Sequence, residues 1–197
     1  MNFMKKADIL LLVSFLTVTV INAQQRYEAD PLSTVIEWKG EKIIGSDHMG
    51  TINLKSGWLD IEGNAITAGE FIIDMNSINN TDLKDENMKR RLEGHLKSDD
   101  FFGVDKYPFS RLVITGASAF TEGTSTVRGN LTIKEATHPA EFTARVMKEG
   151  DSHVYTAQIT FDRSLYNVRF GSGKFFSNLG DNAIRDEIHL DVRLVVE

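Results

Sequence analysis

His95, Asp99 and Asp100 fall in one short run, HLKSDDFFGVDKYP, at positions 95–108. An imidazole beside carboxylates could move a proton or help to hold zinc. The same residue types also cap helices and satisfy turn backbone, and that reading outweighs the catalytic one in so short a run. Arg163, Arg169 and Lys174 form a second group: cations at the mouth of a site could pair with a pyrophosphate or a carboxylate, though ordinary surface charge accounts for them more simply. Glu187, His189 and Asp191 alternate, so on a strand they share one face and could ligate a metal. Opposite them stand Ile188, Leu190, Val192 and Leu194, which claim the core. The polar trio is then a solvated outer face, and no metal is expected. Gly171-Ser172-Gly173-Lys174 lacks the glycine spacing of a phosphate loop, and Phe175 stands where a hydroxyl residue should follow the lysine. There is no Gly-x-Ser-x-Gly elbow to expose a nucleophile.

The elements that must position these residues are mostly strands. Period-2 alternation recurs from Thr34 to the end of the chain. Ile36 and Trp38 alternate with charge; so do Ile52 and Leu54, then Leu59 and Ile61 before a Gly63-Asn64 turn. Phe71, Ile73 and Met75 follow, then Leu112 and Ile114, then Leu131 and Ile133. A Thr137-His138-Pro139 turn leads to Phe142, Ala144 and Val146, and Ile159 and Phe161 come before the last strand. Strands with one apolar and one wet face, joined by short turns, predict an all-β antiparallel sandwich or barrel of about eight strands.

One segment breaks the period. Met88, Leu92 and Leu96 have the spacing of one helical face between Thr81 and Lys97, with Thr81 or Asp82 as the cap. Ser98 then caps a second turn carrying Phe101 and Phe102, and Tyr107-Pro108 ends the insertion. A second irregular stretch, 169–183, is rich in Gly and Phe. Both would close the ends of a barrel. Gly50, Gly129 and Ala144 fall on the inward faces, where small side chains leave volume unfilled and favour a cavity over a solid core.

Lys5-Lys6, the uncharged run from Ile9 to Ile21 and the Asn22-Ala23 boundary read as a secretory signal peptide over residues 1–23, which predicts export to a periplasm or the medium. Residues 24–197 suit one domain. The chain has no cysteine, which excludes disulfides and thiolate chemistry. The net charge of −6 argues against nucleic acid as a partner.

HLKSDDFFGVDKYP, GNLTIKEATHPAEF at 129–142, Arg163-Ser164-Leu165-Tyr166 and the strand opening Ile184-Arg185-Asp186-Glu187 together resemble the YceI-like family, over roughly Tyr27 to Glu197. Glu135 departs from the glycine that often follows Leu-Thr-Ile-Lys in that family. The resemblance implies a lipocalin-like barrel with one helical insertion covering part of it. It also implies an elongated apolar tunnel for a polyisoprenoid or other long-chain lipid, with no common catalytic activity and no cofactor beyond the bound lipid. On this reading the tunnel is lined by Trp38, Ile52, Leu54, Phe71, Ile73, Met75, Leu112, Ile114, Leu131, Ile133, Phe142, Ile159, Phe161 and Leu190 from strands. Leu92, Leu96, Phe101 and Phe102 come from the insertion, and Arg163 and Arg169 stand at the mouth. The expected function is binding of an isoprenoid, isoprenoid quinone or fatty-acyl-like lipid. The mature chain carries no transmembrane segment, and homodimerisation is compatible with this reading. The alternative is an enzyme acting on a lipid head group, with His95 and Asp99 converging on Arg163. An outer-membrane barrel fits poorly, because it would need a lipid-facing apolar band around a polar lumen.

Overall fold

The computed structural model describes residues 23–149 and 152–197; all of the leader expected over 1–23 except Ala23 lies outside them. The strands are β1 (Gln25–Glu28), β2 (Val35–Lys42), β3 (His48–Glu62), β4 (Ala65–Asn80), β5 (Phe109–Ala117), β6 (Thr124–Ile133), β7 (Ala136–Glu149), β8 (Ser152–Asp162) and β9 (Ile184–Val196). All pairings are antiparallel, and β3 pairs with β4 to close an 8-strand barrel. β1 takes no separate place in the ring. It pairs with the far half of β3 while β2 pairs with the near half, and Ala29 bridges to Val196. Closure removes the unpaired edges that an open sheet would expose.

Alternation sets the faces. On β9 the inward side carries Ile188, Leu190, Val192 and Leu194, while His189 meets Thr160 at 3.0 Å and Asp191 accepts from Gln158 at 2.9 Å on the outside. The two longest strands bend around the barrel through register shifts at Thr51/Asn53, Leu54/Ser56 and Asp60/Ile61. Ser77 stitches one of them, donating its hydroxyl to Asp74 O and accepting the Asn53 N–H at 2.7 Å.

The helix α1 (Glu86–Lys97) begins later than the sequence suggests, and its cap is Asp85, whose carboxylate accepts from Asn87 and Met88 N–H at 2.9 Å. Thr81 and Asp82 do not cap it. The buried Asn80 donates to Met49 O at 3.0 Å and accepts from Leu83 N–H, and Asp82 accepts from Met49 N–H and meets His48. These bonds tie residues 80–83 to β3, so the helix starts only after them. Ser98 belongs to the helix C-terminus, with its N–H on Gly94 O and His95 O.

Two further expectations are corrected. Residues 137–139 are not a turn. The reversal lies at Lys134 (φ 55), and Pro139 pairs with Asn130 inside β7. β8 pairs with β7 only from Thr143 onward, so Pro139 stands where its missing N–H interrupts no ladder on that side. Gly50 and Gly129 do not leave space. A Cβ on Gly50 would sit 1.9 Å from Asn79 O and 2.6 Å from the Trp38 ring, and one on Gly129 would sit 2.5 Å from Val113 O. Close backbone and indole approach requires glycine at both sites. Ala144 does face the cavity.

The connections sort to two ends. Turns 63–64 and 118–123 lie at one end, where Phe120 N–H donates to Asn64 O and Asn64 Nδ2 donates to Phe120 O. Phe120 packs on Tyr155 there, with ring centroids 5.9 Å apart, and plugs this end. The β2–β3 turn, α1, the 134–135 turn and loop 167–183 lie at the other.

Candidate binding cavity

The barrel encloses a cavity of about 630 Å³, inside the range of about 300–1,000 Å³ for single-ligand sites. Every residue that the sequence places in the tunnel wall borders it except Arg169. Strand alternation explains the agreement, since one face of each strand must point inward. Ile36, Leu59, Val192 and Leu194 share those faces and line it too, so the same signal reaches them. Ile66 and Ile78 also line it, but bulges switch the parity between them and Phe71–Met75, which hides them from simple alternation. Phe170 comes from an irregular loop with no periodic signal at all.

Part of the open end is covered by α1 and the turn after it. Leu92 and Leu96 face the cavity from the helix. Phe101 N–H donates to Ser98 O and Phe102 N–H to Leu96 O, which folds both rings back over the barrel. Phe101 is buried against His95 and Phe170, at centroid distances of 4.9 Å to His95 and 5.3 Å to Phe170. Phe102 joins two apolar clusters, one around Met75, Ile78 and Val104 and one around Leu131, Ile133 and Tyr166. Lys134 holds this turn in place by donating to Phe101 O at 3.2 Å and Asn167 O at 3.1 Å, and burial lowers its pKa.

The three cations expected at the mouth are not a free anion site. Arg163 borders the cavity but is 1% exposed, and its N–H groups are committed. Nε donates to Arg185 O at 3.0 Å, Nη1 to Val168 O and Phe170 O at 3.0 and 2.9 Å, and Nη2 to Ile184 O at 3.3 Å. Asp186 lies 3.3 Å from Nη2 and balances the charge. Burial lowers the guanidinium pKa, and Asp186 opposes that effect. Lys174 is held by Asp162 and by the Ser164 hydroxyl. Arg169 is exposed and lies over the Phe175 ring at 4.8 Å, outside the cavity wall. A local 3-10 turn over Arg163–Tyr166, capped by Asp162, buries Arg163, whereas Arg169 lies beyond it on the exposed loop.

The proton-transfer group also fails to converge. Asp99 pairs with Lys106 at 2.6 Å, while the carboxylate beside His95 is that of Asp100, at 3.4 Å. The His95 ring is wedged edge-on between Phe101 and Phe170. With Arg163 committed to carbonyls and Asp99 to Lys106, the trio His95, Asp99 and Arg163 does not come together.

At the plugged end, Tyr155 lines the cavity and burial raises its pKa to about 12. Ultraviolet titration is expected to resolve one tyrosine ionising near that value; replacement by Phe should delete that step. Because the folded pKa lies above the unfolded value of 10.0, its stabilising contribution is whole below pH 10 and is lost as pH rises toward 12.

The YceI-like domain profile matches residues 27–196. No curated protein matches the sequence. BcnA of Burkholderia cenocepacia has the same fold at a TM-score of 0.64 and 18% identity, covering 85% of this chain and 98% of that one. A polyisoprenoid binding domain from Saccharophagus degradans gives 0.62 at 14% identity, covering 87% and 97%. The YceI protein of Campylobacter jejuni gives 0.53 at 15%, covering 97% and 93%. A closed barrel of this strand order, with a helical insertion over one end, and a profile match across almost the whole described chain lead to one conclusion: the protein belongs to the YceI-like family.

Proposed function

We propose that this protein is an exported binding protein that holds one polyisoprenoid, isoprenoid quinone or other long-chain lipid in its barrel. The observation that carries the reading is the cavity wall, built from aliphatic and aromatic side chains of every barrel strand and opening at one end. Each methylene moved from water into such a wall contributes about 0.8 kcal/mol, so a long chain binds tightly without any special polar contact. The similar fold of a polyisoprenoid binding domain supports the same ligand class. Export follows from the basic start and apolar run that precede Gln24. No helix among the described residues is long and apolar enough to cross a membrane. The barrel turns its apolar face inward and its charged face outward, the reverse of an outer-membrane barrel. An enzyme acting on a lipid head group is the weaker reading, because Asp99 and Arg163 are engaged elsewhere.

One preparation tests both parts. Native mass spectrometry of gently purified protein should give a chain beginning at or near Gln24, carrying a mass that organic solvent releases as an isoprenoid or acyl lipid. A full-length cytoplasmic product would sink export. A lipid-free protein that also fails to take up a polyprenol from cyclodextrin would sink the binding reading.

A further inference from the structure

The open end carries an apolar surface that a ligand inside the barrel does not account for. The β2–β3 turn presents Ile43 and Ile44, and loop 167–183 presents Phe170, Phe175 and Phe176. The two segments are joined, since Ile43 N–H donates to Ala183 O at 2.9 Å and Arg185 reaches Glu41 at 3.4 Å. All five side chains are exposed, from 41% for Phe170 to 60% for Ile44. Phe170 is also part of the cavity wall, so the outer patch runs into the apolar interior without a break.

The aromatic side chains are held out by defined backbone. Gly171 has φ +66 and accepts Ile184 N–H at 2.8 Å, and a Cβ there would meet the Ile184 side chain at 2.9 Å. Phe175 and Phe176 both donate their N–H to the carbonyl of fully buried Ser172. The charge around the patch is unbalanced. Among the described residues of these two segments Lys42 and Arg169 have no carboxylate within ion-pair distance. Glu41 and Asp47 are held by Lys39, which leaves Asp181 as the unpaired acid of these two segments.

We infer that this rim docks on a lipid bilayer, placing Ile43, Ile44, Phe175 and Phe176 among the head groups so that the cavity mouth opens onto the acyl layer. The inference rests on the lipid-binding reading for its purpose. A long apolar chain that left the cavity through water would lose its whole burial free energy on the way, and a mouth seated in the bilayer avoids that step. Aromatic and aliphatic side chains flanked by cations suit the interfacial layer, where rings sit at head-group level and basic residues meet anionic lipid. A protein partner would need the outer rim, but nothing in such a contact explains its continuity with the cavity.

The test uses the chain from Gln24, which carries every strand and the helix, with vesicles of phosphatidylcholine and phosphatidylglycerol. Lipid-free wild-type protein should pellet with them. Phe175→Asp and Phe176→Asp should each lower the partition about tenfold, and Ile44→Asp on the other segment should do likewise. None of the three side chains lines the cavity, so uptake of a fluorescent polyprenol from cyclodextrin and the melting temperature should stay at wild-type values. Transfer of that polyprenol from wild type to vesicles should accelerate with vesicle concentration. In the variants it should be slow and independent of it. Wild-type protein that stays in the supernatant overturns the docking, as do variants that pellet like wild type. A dimer in sedimentation velocity that the same variants dissociate overturns it as well and assigns the rim to a second copy. Failure of wild type to take up polyprenol from cyclodextrin counts against the ligand instead, and the lipid-free pelleting result still decides the docking.

Discussion

Replacing Ala144 and Ala157 together with phenylalanine is expected to lower affinity for a long-chain polyprenol roughly a hundredfold while the melting temperature stays near that of wild type. The two alanines are direct partners across β7 and β8, and both face the cavity. Rings placed there would fill the deep part of the chain path, next to Tyr155 at the plugged end. Excluding about four methylenes at about 0.8 kcal/mol each gives about 3 kcal/mol, which is that factor in affinity. The melting temperature is the discriminating control. In a solid core, added rings overpack and cost about 1–3 kcal/mol each. In an empty cavity they meet free space. Binding by fluorescence and stability by calorimetry read the two effects separately. Unchanged affinity would place the ligand elsewhere, and unfolding would mean that the interior is packed rather than open.

The second large effect is structural. Arg163→Leu should destabilise the fold by about 3–5 kcal/mol, the usual cost of removing one partner from a buried ionic network. For a domain of this size that is on the order of 10 °C in melting temperature. The guanidinium is 1% exposed and ties together the carbonyls of Val168, Phe170, Ile184 and Arg185. Leucine takes the guanidinium donors from those oxygens and leaves Asp186 with only the more distant Lys174, at 3.9 Å. Arg163→Lys should rescue little, because an ammonium cannot span four carbonyls that a planar fork reaches at once. Phe170 hangs on the same network, so surviving folded protein should also release polyprenol faster. A lysine variant as stable as wild type would show that the site needs only charge. Arg169→Ala is the contrasting case: its side chain is exposed and makes no bond to the loop backbone, so stability should hardly change.

The residues separate what is local from what is not. Inward and outward faces of the strands follow from the sequence because a strand's side-chain period is fixed by its backbone. That is why alternation puts Leu190 and Ile159 in the wall and Glu187 and Asp191 outside it. The helical spacing of Leu92 and Leu96 worked for the same reason. The family resemblance, carried by the run around Phe101 and Phe102, supplied the closed barrel that alternation alone left open. What alternation could not supply is anything set by contacts between distant segments. The helix cap moved to Asp85 because Asn80 and Asp82 bind β3, some thirty positions back. Gly50 is small because Trp38 and Asn79 close on it, a crowding that exists only when β2, β3 and β4 are assembled. Arg163 and Arg169 look alike in sequence, yet one holds a loop together from within and the other lies on the surface. Which way a cation turns depends on where unpaired carbonyls end up, and the position of those carbonyls is decided by closure of the barrel.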